Sequence, residues 1–383
     1  MRGKHKVSDP QNTTIAAAAL RRSTGSILRT IGLEIARPAA AVALALVIGA
    51  VVIRVMGDDP FLAYSTLFSG AFSGTANIVA TLQNTTPLLF TGLAVGFAFR
   101  SNVANIGVEG QMLFGALAAA IVGYYVRGLP GFIHLPLAVA AAMLAGAIWA
   151  FIPAILKSKL RINELVVCLM LNPIALLLTG WISSYPLKAP GPTNKTYDIL
   201  PTAQFHQFSD LAQFNTGFIL AVVLLVLCWL IENRTKKGYE WKLIGQNPVF
   251  ARYGGINVQS SIVQVFLVSG MIAGLAGAEQ ALGVYRAFYN GFSPGYGFDG
   301  IAVAMLAKFN PLATAYSALL LGALNSGGIV MQMMTSVTRD LIKVLEAVII
   351  LLLAADFAIG SRRRVRRERR GLPSRKPEGR IHP

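Results

Sequence analysis

The sequence of 383 residues is poor in charged residues and has very few cysteines and histidines. Charged residues make up 13% of the chain and hydrophobic residues 54%, and a soluble globule of this composition would leave apolar surface exposed. Cys168 and Cys228 lie in apolar runs, and neither they nor the four histidines have the spacing of a metal site. The composition therefore predicts an integral membrane protein with no bound metal or cofactor.

The sequence also lacks the motifs of an enzyme. No G-x-x-x-x-G-K-[ST] phosphate loop occurs, and no residues resemble a Ser/His/Asp or Cys/His catalytic set. We therefore expect that the chain does not hydrolyse ATP. Active transport would need a partner that hydrolyses ATP or an ion gradient.

Acidic residues are half as frequent as basic ones, which gives a net charge of +17. Many of the basic residues lie in the tail at 359–383, directly after the last apolar run. Such a run is typical of a cytoplasmic segment that fixes topology and contacts anionic lipid. Nucleic-acid binding is not expected, because no aromatic platform or reading fold accompanies the arginines.

Apolar runs alternate with basic loops along the rest of the chain. Because a helix needs about 20 residues to cross the bilayer, the region 37–358 has room for about ten spans in an all-α polytopic domain. We expect a basic cytoplasmic segment at 1–36, an external loop at 183–215, a cytoplasmic loop at 233–258 and both termini in the cytoplasm. The segment 299–309 is too short to span alone, so it either crosses as a broken helix or re-enters.

Two short motifs resemble each other in the two halves of the chain. Gly107–Gly110 and Gly297–Gly300 each place one carboxylate, Glu109 or Asp299, between glycines where an apolar stretch begins. A charge at the centre of a membrane helix costs about 2.5–3.5 kcal/mol on insertion scales, so its recurrence needs a reason. Paired, glycine-interrupted segments are typical of transporters built from internal repeats. Helix capping is the favoured role of these carboxylates, with solute or ion contact and pairing with a buried cation as alternatives.

Other polar residues lie at or near membrane depth. Asn163 and Asn172 are nine residues apart, so they should point to different faces of one helix. The full set of candidates for the transport path or for helix breaks is Asn105, Glu109, Gln111, Asn163, Glu164, Asn172, Glu279, Asp299 and Asn325.

The basic loop at 233–258 is predicted to contain a short helix. Asn247 can cap a helix whose first residue is Pro248, and Gly254-Gly255 would end it, which predicts a helix over Pro248–Tyr253. Such a helix would serve as a rigid knob for a partner that supplies energy, although a simple connector is the alternative. Charge or bulk at Ala251 is expected to uncouple ATP hydrolysis from transport.

Four segments resemble the permease subunits of bacterial ABC importers in the simple-sugar and nucleoside branch. They are NIGVEGQ at 105–111, Asn163-Glu164 with Met170-Leu171-Asn172, IGQNPVFARYGGI at 244–256, and GFDGIAVAMLAKFNPL at 297–312. The resemblance covers Pro60 to Ala355 and is closest to the longer nucleoside-type permease. A ribose- or galactose-type permease is the main alternative, and an ion-coupled secondary transporter is a weaker one.

The resemblance implies a path for nucleosides through the bacterial plasma membrane. It also implies three partners: a second permease subunit in a heterodimer, a cytoplasmic ABC ATPase, and an external substrate-binding lipoprotein. The residues that match the family's ATPase-coupling loop are Gly245, Asn247, Pro248, Ala251, Arg252, Tyr253 and Gly254.

Overall fold

The computed structural model describes residues 43–208 and 212–337, together with Leu341, Lys343, Val344, Ala347, Val348 and Leu351. The predicted segment 1–36, the tail 359–383 and most of the last apolar run before it, 341–358, lie outside these residues. Residues Gly49–Ile350 form one compact unit, to which the rest of the description refers. Within the described ranges the secondary structure is helical, with two isolated β-bridges and no strand.

The described residues include twelve α-helices, a 3-10 turn at Pro201–Ala203 and further helical positions between 341 and 351, and a π-helical turn, Gln280–Tyr285, directly continues the tenth helix. In chain order the twelve α-helices are α1 (Ala43–Val55), α2 (Pro60–Phe72), α3 (Thr75–Arg100), α4 (Val108–Tyr125), α5 (Gly131–Leu160), α6 (Glu164–Ser184), α7 (Gly217–Arg234), α8 (Lys236–Gln246), α9 (Pro248–Tyr253), α10 (Val258–Glu279), α11 (Tyr296–Leu306) and α12 (Pro311–Met334).

The predicted all-α polytopic fold is confirmed. Seven of the described helices are long and apolar enough to cross a membrane, namely α3, α4, α5, α6, α7, α10 with its π turn, and α12. The apolar helices α1 and α11 are shorter. The predicted short segment is α11, which begins three residues earlier than expected, at Tyr296.

Helix α2 has no counterpart among the features predicted from the sequence. Its first residue is Pro60, and the Asp59 side chain accepts a hydrogen bond from the Phe61 backbone N–H at 2.9 Å. Proline lacks a backbone N–H and fits the first position of a helix, and aspartate satisfies another unpaired N–H. A short capped helix therefore forms here, although its 13 residues are too few to span a bilayer.

The central helices pack in a reciprocal pattern. Helix α3 packs against α11 and α12, while α10 packs against α4 and α5, and α3 and α10 contact each other. Exchanging α3–α4–α5 with α10–α11–α12 leaves this set of contacts unchanged. This is the packing expected of two related halves.

Small residues allow the helices around α10 to approach closely. A Cβ atom at Gly115 of α4 would lie 2.6 Å from the Gly274 Cα of α10, and one at Gly270 would lie 2.6 Å from the Gly146 carbonyl oxygen of α5. Membrane helices associate through such close packing, since lipid offers no hydrophobic driving force between them. This interface holds the non-helical segment between α3 and α4, residues 101–107, against α10. We call this segment the break before α4.

Candidate functional site

The break between α3 and α4 is organised around the buried side chain of Asn105. Its Nδ2 donates to Gln111 Oε1 at 2.9 Å and to Ser269 Oγ of α10 at 2.8 Å. Its Oδ1 accepts from Gln111 Nε2 at 2.9 Å and from the Gly107 backbone N–H at 3.1 Å. Both amide hydrogens of Asn105 are thus used within the protein. The pair Asn105–Gln111 therefore stabilises the break and presents no free polar group.

Asn172 ties α6 to the same break. Its Oδ1 accepts from the Gly110 N–H, and its Nδ2 donates to the Ile106 carbonyl, both at 3.1 Å. Asn163 instead caps the start of α6 by accepting from the Leu165 N–H at 3.0 Å, and it is exposed. The two asparagines therefore serve different surroundings, as their spacing predicts.

Glu164 is the third brace of this region. Its Oε1 accepts from Lys157 Nζ in an ion pair and weakly from the Ala104 N–H at 3.4 Å. Glu164 is buried, and it follows the cap residue of α6. The ion pair joins the end of α5 to the start of α6, and the second contact reaches the break itself.

Glu109 joins the two glycine-flanked motifs directly. Its Oε2 accepts from the Gly297 backbone N–H at 2.6 Å, and Gly297 is the second residue of α11. The first N–H groups of a helix lack partners within the helix and form its positive end, so a carboxylate is stabilised there. Glu109 therefore caps a helix, as favoured from the sequence, but the helix is α11 and not its own α4.

The two motifs also fit together sterically. A Cβ atom at Gly297 would overlap the backbone of Glu109 and lie 2.7 Å from its Oε2, so only glycine permits this approach. Asp299 lies half-buried one turn into α11, and its charge acts on Glu109 together with that of Lys343. Lys343 Nζ in turn donates to the Pro294 carbonyl at 3.0 Å.

Glu279 occupies a separate buried cluster at the far end of α10. Its Oε1 accepts from Asn215 Nδ2 at 3.0 Å, and its Oε2 accepts from Gln280 Nε2 at 2.7 Å. The Asn215 Oδ1 accepts from the Gly217 N–H at 2.8 Å at the start of α7. Glu279 thus links the end of the loop at 183–215 to the π turn.

Asn325 differs from the other candidates. It is 7% exposed within a fully buried stretch of α12, and its Nδ2 has no hydrogen-bond partner in the described part of the chain. A buried amide without a partner is costly and calls for an explanation, such as a water or a solute group. Among the predicted candidates it is the side chain best placed to offer an unused donor.

The loop at 233–258 contains the predicted helix, α9, with the predicted boundaries. The Asn247 side chain accepts from the N–H groups of Val249 and Phe250, each at 3.0 Å. At the other end the Gly254 N–H donates to the Phe250 carbonyl at 3.0 Å, and Gly255 adopts a left-handed φ of +79°. Cap and glycine fix α9 as a rigid turn despite its six residues.

The sequence analysis chose Ala251 as the position at which to disturb coupling, but this residue does not lie on the exposed face of α9. Ala251 is fully buried, whereas Phe250 is 60% and Tyr253 87% exposed, and Arg252 is exposed as well. Bulk at Ala251 would therefore first disturb the packing of the loop. The aromatic side chains present the surface available to a partner.

Helix α8 fixes this loop to the membrane helices. Trp241 meets Phe97 of α3 edge to face, with ring centroids 5.3 Å apart, and a Cβ at Gly245 would lie 3.0 Å from Ser101 Cα. Nearby, Arg100 of α3 forms an ion pair with Glu232 of α7. Partial burial lowers the pKa of Lys242 on α8, and the neighbouring Arg100 charge lowers it further.

Two residues of these clusters were not identified from the sequence. Ser269 receives the Asn105 amide and donates to the Ala94 carbonyl at 2.7 Å, and Asn215 binds Glu279. Ser269 precedes the glycines that mark the α10 interface, and that position is a signal of close packing. Asn215 lies at the end of a polar loop, where nothing local distinguishes it from its neighbours.

Comparison with known proteins supports the family suggested by the motifs. Residues 77–354 match a family described as "Branched-chain amino acid transport system / permease component". The chain is 38% identical to the guanosine ABC transporter permease protein NupP of Bacillus subtilis, over 84% of this chain and 93% of that protein.

Two further relatives match at similar coverage. The nucleoside ABC transporter permease protein NupB of Lactococcus lactis is 30% identical over 84% of this chain and 91% of its own length. The glucose ABC transporter permease protein TsgB13 of Haloferax volcanii is 30% identical over 87% and 91%. No solved structure matches the chain significantly. The matched length and these identities show that the chain belongs to this family of ABC-transporter permease components, whose printed description refers to branched-chain amino acid transport systems.

Proposed function

We propose that this chain is the membrane-spanning permease subunit of an ATP-driven importer of nucleosides. The similarity to the guanosine permease, at 38% identity over nearly the whole of that relative, carries the assignment of the solute class. The single structural observation that carries the coupling role is α9, a capped helix that exposes two aromatic side chains. A permease that relies on a separate ATPase needs a rigid projection of this kind.

The energy for transport comes from a separate ATP-hydrolysing subunit in this proposal. The chain itself contains no G-x-x-x-x-G-K-[ST] sequence. The coupling segment consists of Gly245, Asn247, Pro248, Ala251, Arg252, Tyr253 and Gly254. Tyr253 of this segment contacts the ATPase together with Phe250, which lies between its members on α9. Ala251 holds α9 against the loop, and Gly245 lets α8 pack on the end of α3.

The other partners and the orientation follow from the same proposal. The chain pairs with a second, shorter permease subunit in the plasma membrane of a bacterium, with both termini in the cytoplasm. An external lipoprotein delivers the nucleoside to the side that carries the loop at 183–215. Basic residues of the loop at 233–258 favour the cytoplasm for α9.

The solute path lies among the central helices in this proposal. Asn105, Gln111 and Asn172 shape the path by bracing the break before α4, because their hydrogen bonds are made within the protein. Glu109 serves α11 in the same way. Asn325 is the candidate for a direct solute contact, since its amide donor is unused in the described part of the chain.

Uptake assays test the solute. A strain that lacks the gene should lose uptake of labelled guanosine or another nucleoside and regain it on complementation. Uptake of labelled glucose and ribose is the matched comparison, because one relative at 30% identity is a glucose permease. Loss of sugar uptake with normal nucleoside uptake would contradict the nucleoside assignment and favour a sugar permease.

A variant of α9 tests the coupling role. Phe250→Asp places a charge on the exposed face, and we expect the ATPase subunit to copurify poorly and transport to fall by about tenfold or more, as for loss of an aromatic interface anchor. Thermal unfolding of the purified chain should stay unchanged, since Phe250 is 60% exposed. Tyr239→Asp, an equally exposed aromatic of α8 at 63%, is the control for added charge in the same loop. Equal transport by both variants and the parent would contradict docking through α9.

A further inference from the structure

A groove of about 320 Å³ lies between the α5–α6 turn and the start of α10, beside α9. Lys157, Arg161 and Glu164 line one side, and Arg252 of α9 and Gln259 of α10 line the other. Residues from four helices or their connections therefore meet in one concave surface. No ligand has been assigned to this groove, although Glu164 braces its wall and Arg252 belongs to the proposed coupling segment.

The charge of the groove is unbalanced. Glu164 is paired with Lys157, so its negative charge is neutralised within the groove. Arg161 and Arg252 are both exposed, and neither forms an ion pair with an acidic residue in the described ranges 43–208 and 212–337. Two exposed arginines thus line a groove whose acidic lining residue, Glu164, is already paired.

The backbone fixes one of the two arginines. Arg161 is the C-cap of α5 with a left-handed φ of 57°, and its N–H donates to the Lys157 carbonyl at 3.1 Å. The turn also has a hydrogen bond from the Ile162 N–H to the Leu156 carbonyl at 3.2 Å. The root of the Arg161 side chain therefore has a defined position, and a planar guanidinium can bind a phosphate with two parallel hydrogen bonds.

Exposed apolar residues include Ile162, which lines the groove, and others that lie close to the lining residues in the sequence. Leu160 is 63%, Val166 54% and Met170 64% exposed, and α6 is one of the long apolar helices. An amphiphile with an anionic headgroup matches this combination, because its acyl chains can lie along the apolar surface while its phosphate meets the arginines. Basic pockets between membrane helices recognise anionic phospholipid headgroups in this way.

We propose that the groove bounded by Arg161 and Arg252 binds the phosphate of an anionic phospholipid. The bound lipid bridges the α5–α6 turn and α9, and so adds an attachment of the coupling segment to the membrane helices. The binding itself does not depend on the solute or on an ATPase, so it can be tested on the purified full chain.

Native mass spectrometry of the delipidated chain in detergent provides the test. The chain is titrated with phosphatidylglycerol, with phosphatidylcholine and with inorganic phosphate. We expect retention of phosphatidylglycerol well above that of the zwitterionic lipid, and a loss of about tenfold or more in Arg161→Gln/Arg252→Gln, since two charge-assisted contacts are removed. The charge-keeping variant Arg161→Lys/Arg252→Lys should bind the lipid more tightly than the glutamine variant but less tightly than the parent, because lysine keeps the charge and loses the planar pair of donors.

The matched control removes the same charge outside the groove. Lys159 and Lys236 are exposed cations of the same cytoplasmic loops that do not line it, so Lys159→Gln/Lys236→Gln should bind phosphatidylglycerol like the parent. Equal loss in both double variants would reduce the effect to net charge and overturn the proposal. Inorganic phosphate binding as tightly as the lipid would also overturn it, by identifying a free-anion site. Unchanged lipid binding in Arg161→Gln/Arg252→Gln, with loss of copurified ATPase, would show a protein contact instead.

Discussion

The two helix breaks of the central unit carry similar motifs but are stabilised in different ways. The break before α4 is held by side-chain amides, chiefly Asn105 with Gln111 and Asn172 with the backbone. The longer break before α11 is held mostly by backbone hydrogen bonds to the loop at 183–215. These include the Thr196 N–H to the Phe288 carbonyl at 2.9 Å and the Ile199 N–H to the Arg286 carbonyl at 2.8 Å.

This difference separates a rigid break from one that depends on another segment. A buried amide network fixes the path of the chain from within, because every member would otherwise leave an unpaired group. The second break instead depends on the loop at 183–215, to which its backbone is hydrogen-bonded. Among the hydrogen bonds of the described residues, that of Glu109 with the N–H of Gly297 connects the two breaks.

Removing Asn105 should have the largest effect. In Asn105→Leu the side chain of Gln111, the hydroxyl of Ser269 and the N–H of Gly107 lose buried partners. Each unsatisfied buried group costs about 1–3 kcal/mol, so the free energy of unfolding should fall by about 3 kcal/mol or more. Thermal unfolding in detergent, together with the yield of folded protein in the membrane, measures the loss.

Asn163→Ala is the matched control for that variant. Asn163 is an exposed cap that accepts one hydrogen bond from the Leu165 N–H at 3.0 Å. Loss of such a cap costs about 1 kcal/mol. If the two asparagine variants proved equally stable, the amide network would not be what makes the first break rigid.

The sequence predicts features that depend on neighbours along the chain. Asn247 with Pro248 and Gly254 with Gly255 determine α9 locally, so its boundaries were predicted correctly. Long apolar runs likewise identify the seven long helices. Local chemistry also accounts for helix α2, which was not predicted, since Asp59 and Pro60 form an ordinary cap that a search for spans overlooks.

Contacts between distant residues could not be predicted in the same way. Glu109 and Gly297 are 188 positions apart, and neither motif alone shows that one caps the helix of the other. The burial of Ala251 was missed for a related reason, because the direction of a six-residue helix depends on the α8 packing beneath it. Repetition of the motif indicated two halves, but not that the repeats touch.

Gly297→Ala should have the second largest effect, because Gly297 contacts Glu109 where the two breaks meet. The new Cβ would overlap the Glu109 backbone, which has no freedom to move away, so we expect a loss of about 3 kcal/mol in the free energy of unfolding. Gly291→Ala lies in the same break, where φ is +73° and nothing lies within 4 Å of the added Cβ. Its cost is only that of the left-handed backbone, about 1 kcal/mol. Thermal unfolding of the two variants compares them. An equal loss of unfolding free energy would mean that Gly297 and Glu109 can move apart at little cost.

The smallest effects should come from neutralising the two carboxylates of the glycine-flanked motifs, Glu109 and Asp299. Glu109→Gln keeps an oxygen that accepts from the Gly297 N–H but removes the charge from the positive end of α11, at a cost of about 0.5–1 kcal/mol. Asp299→Asn should cost only about 0.3 kcal/mol, because half-burial leaves its charge partly solvated. Thermal unfolding and nucleoside uptake are measured for both. A variant Asp299→Asn that loses transport at unchanged stability would reverse the ranking and make Asp299 a contact of the solute, leaving Glu109 as the residue that joins the halves.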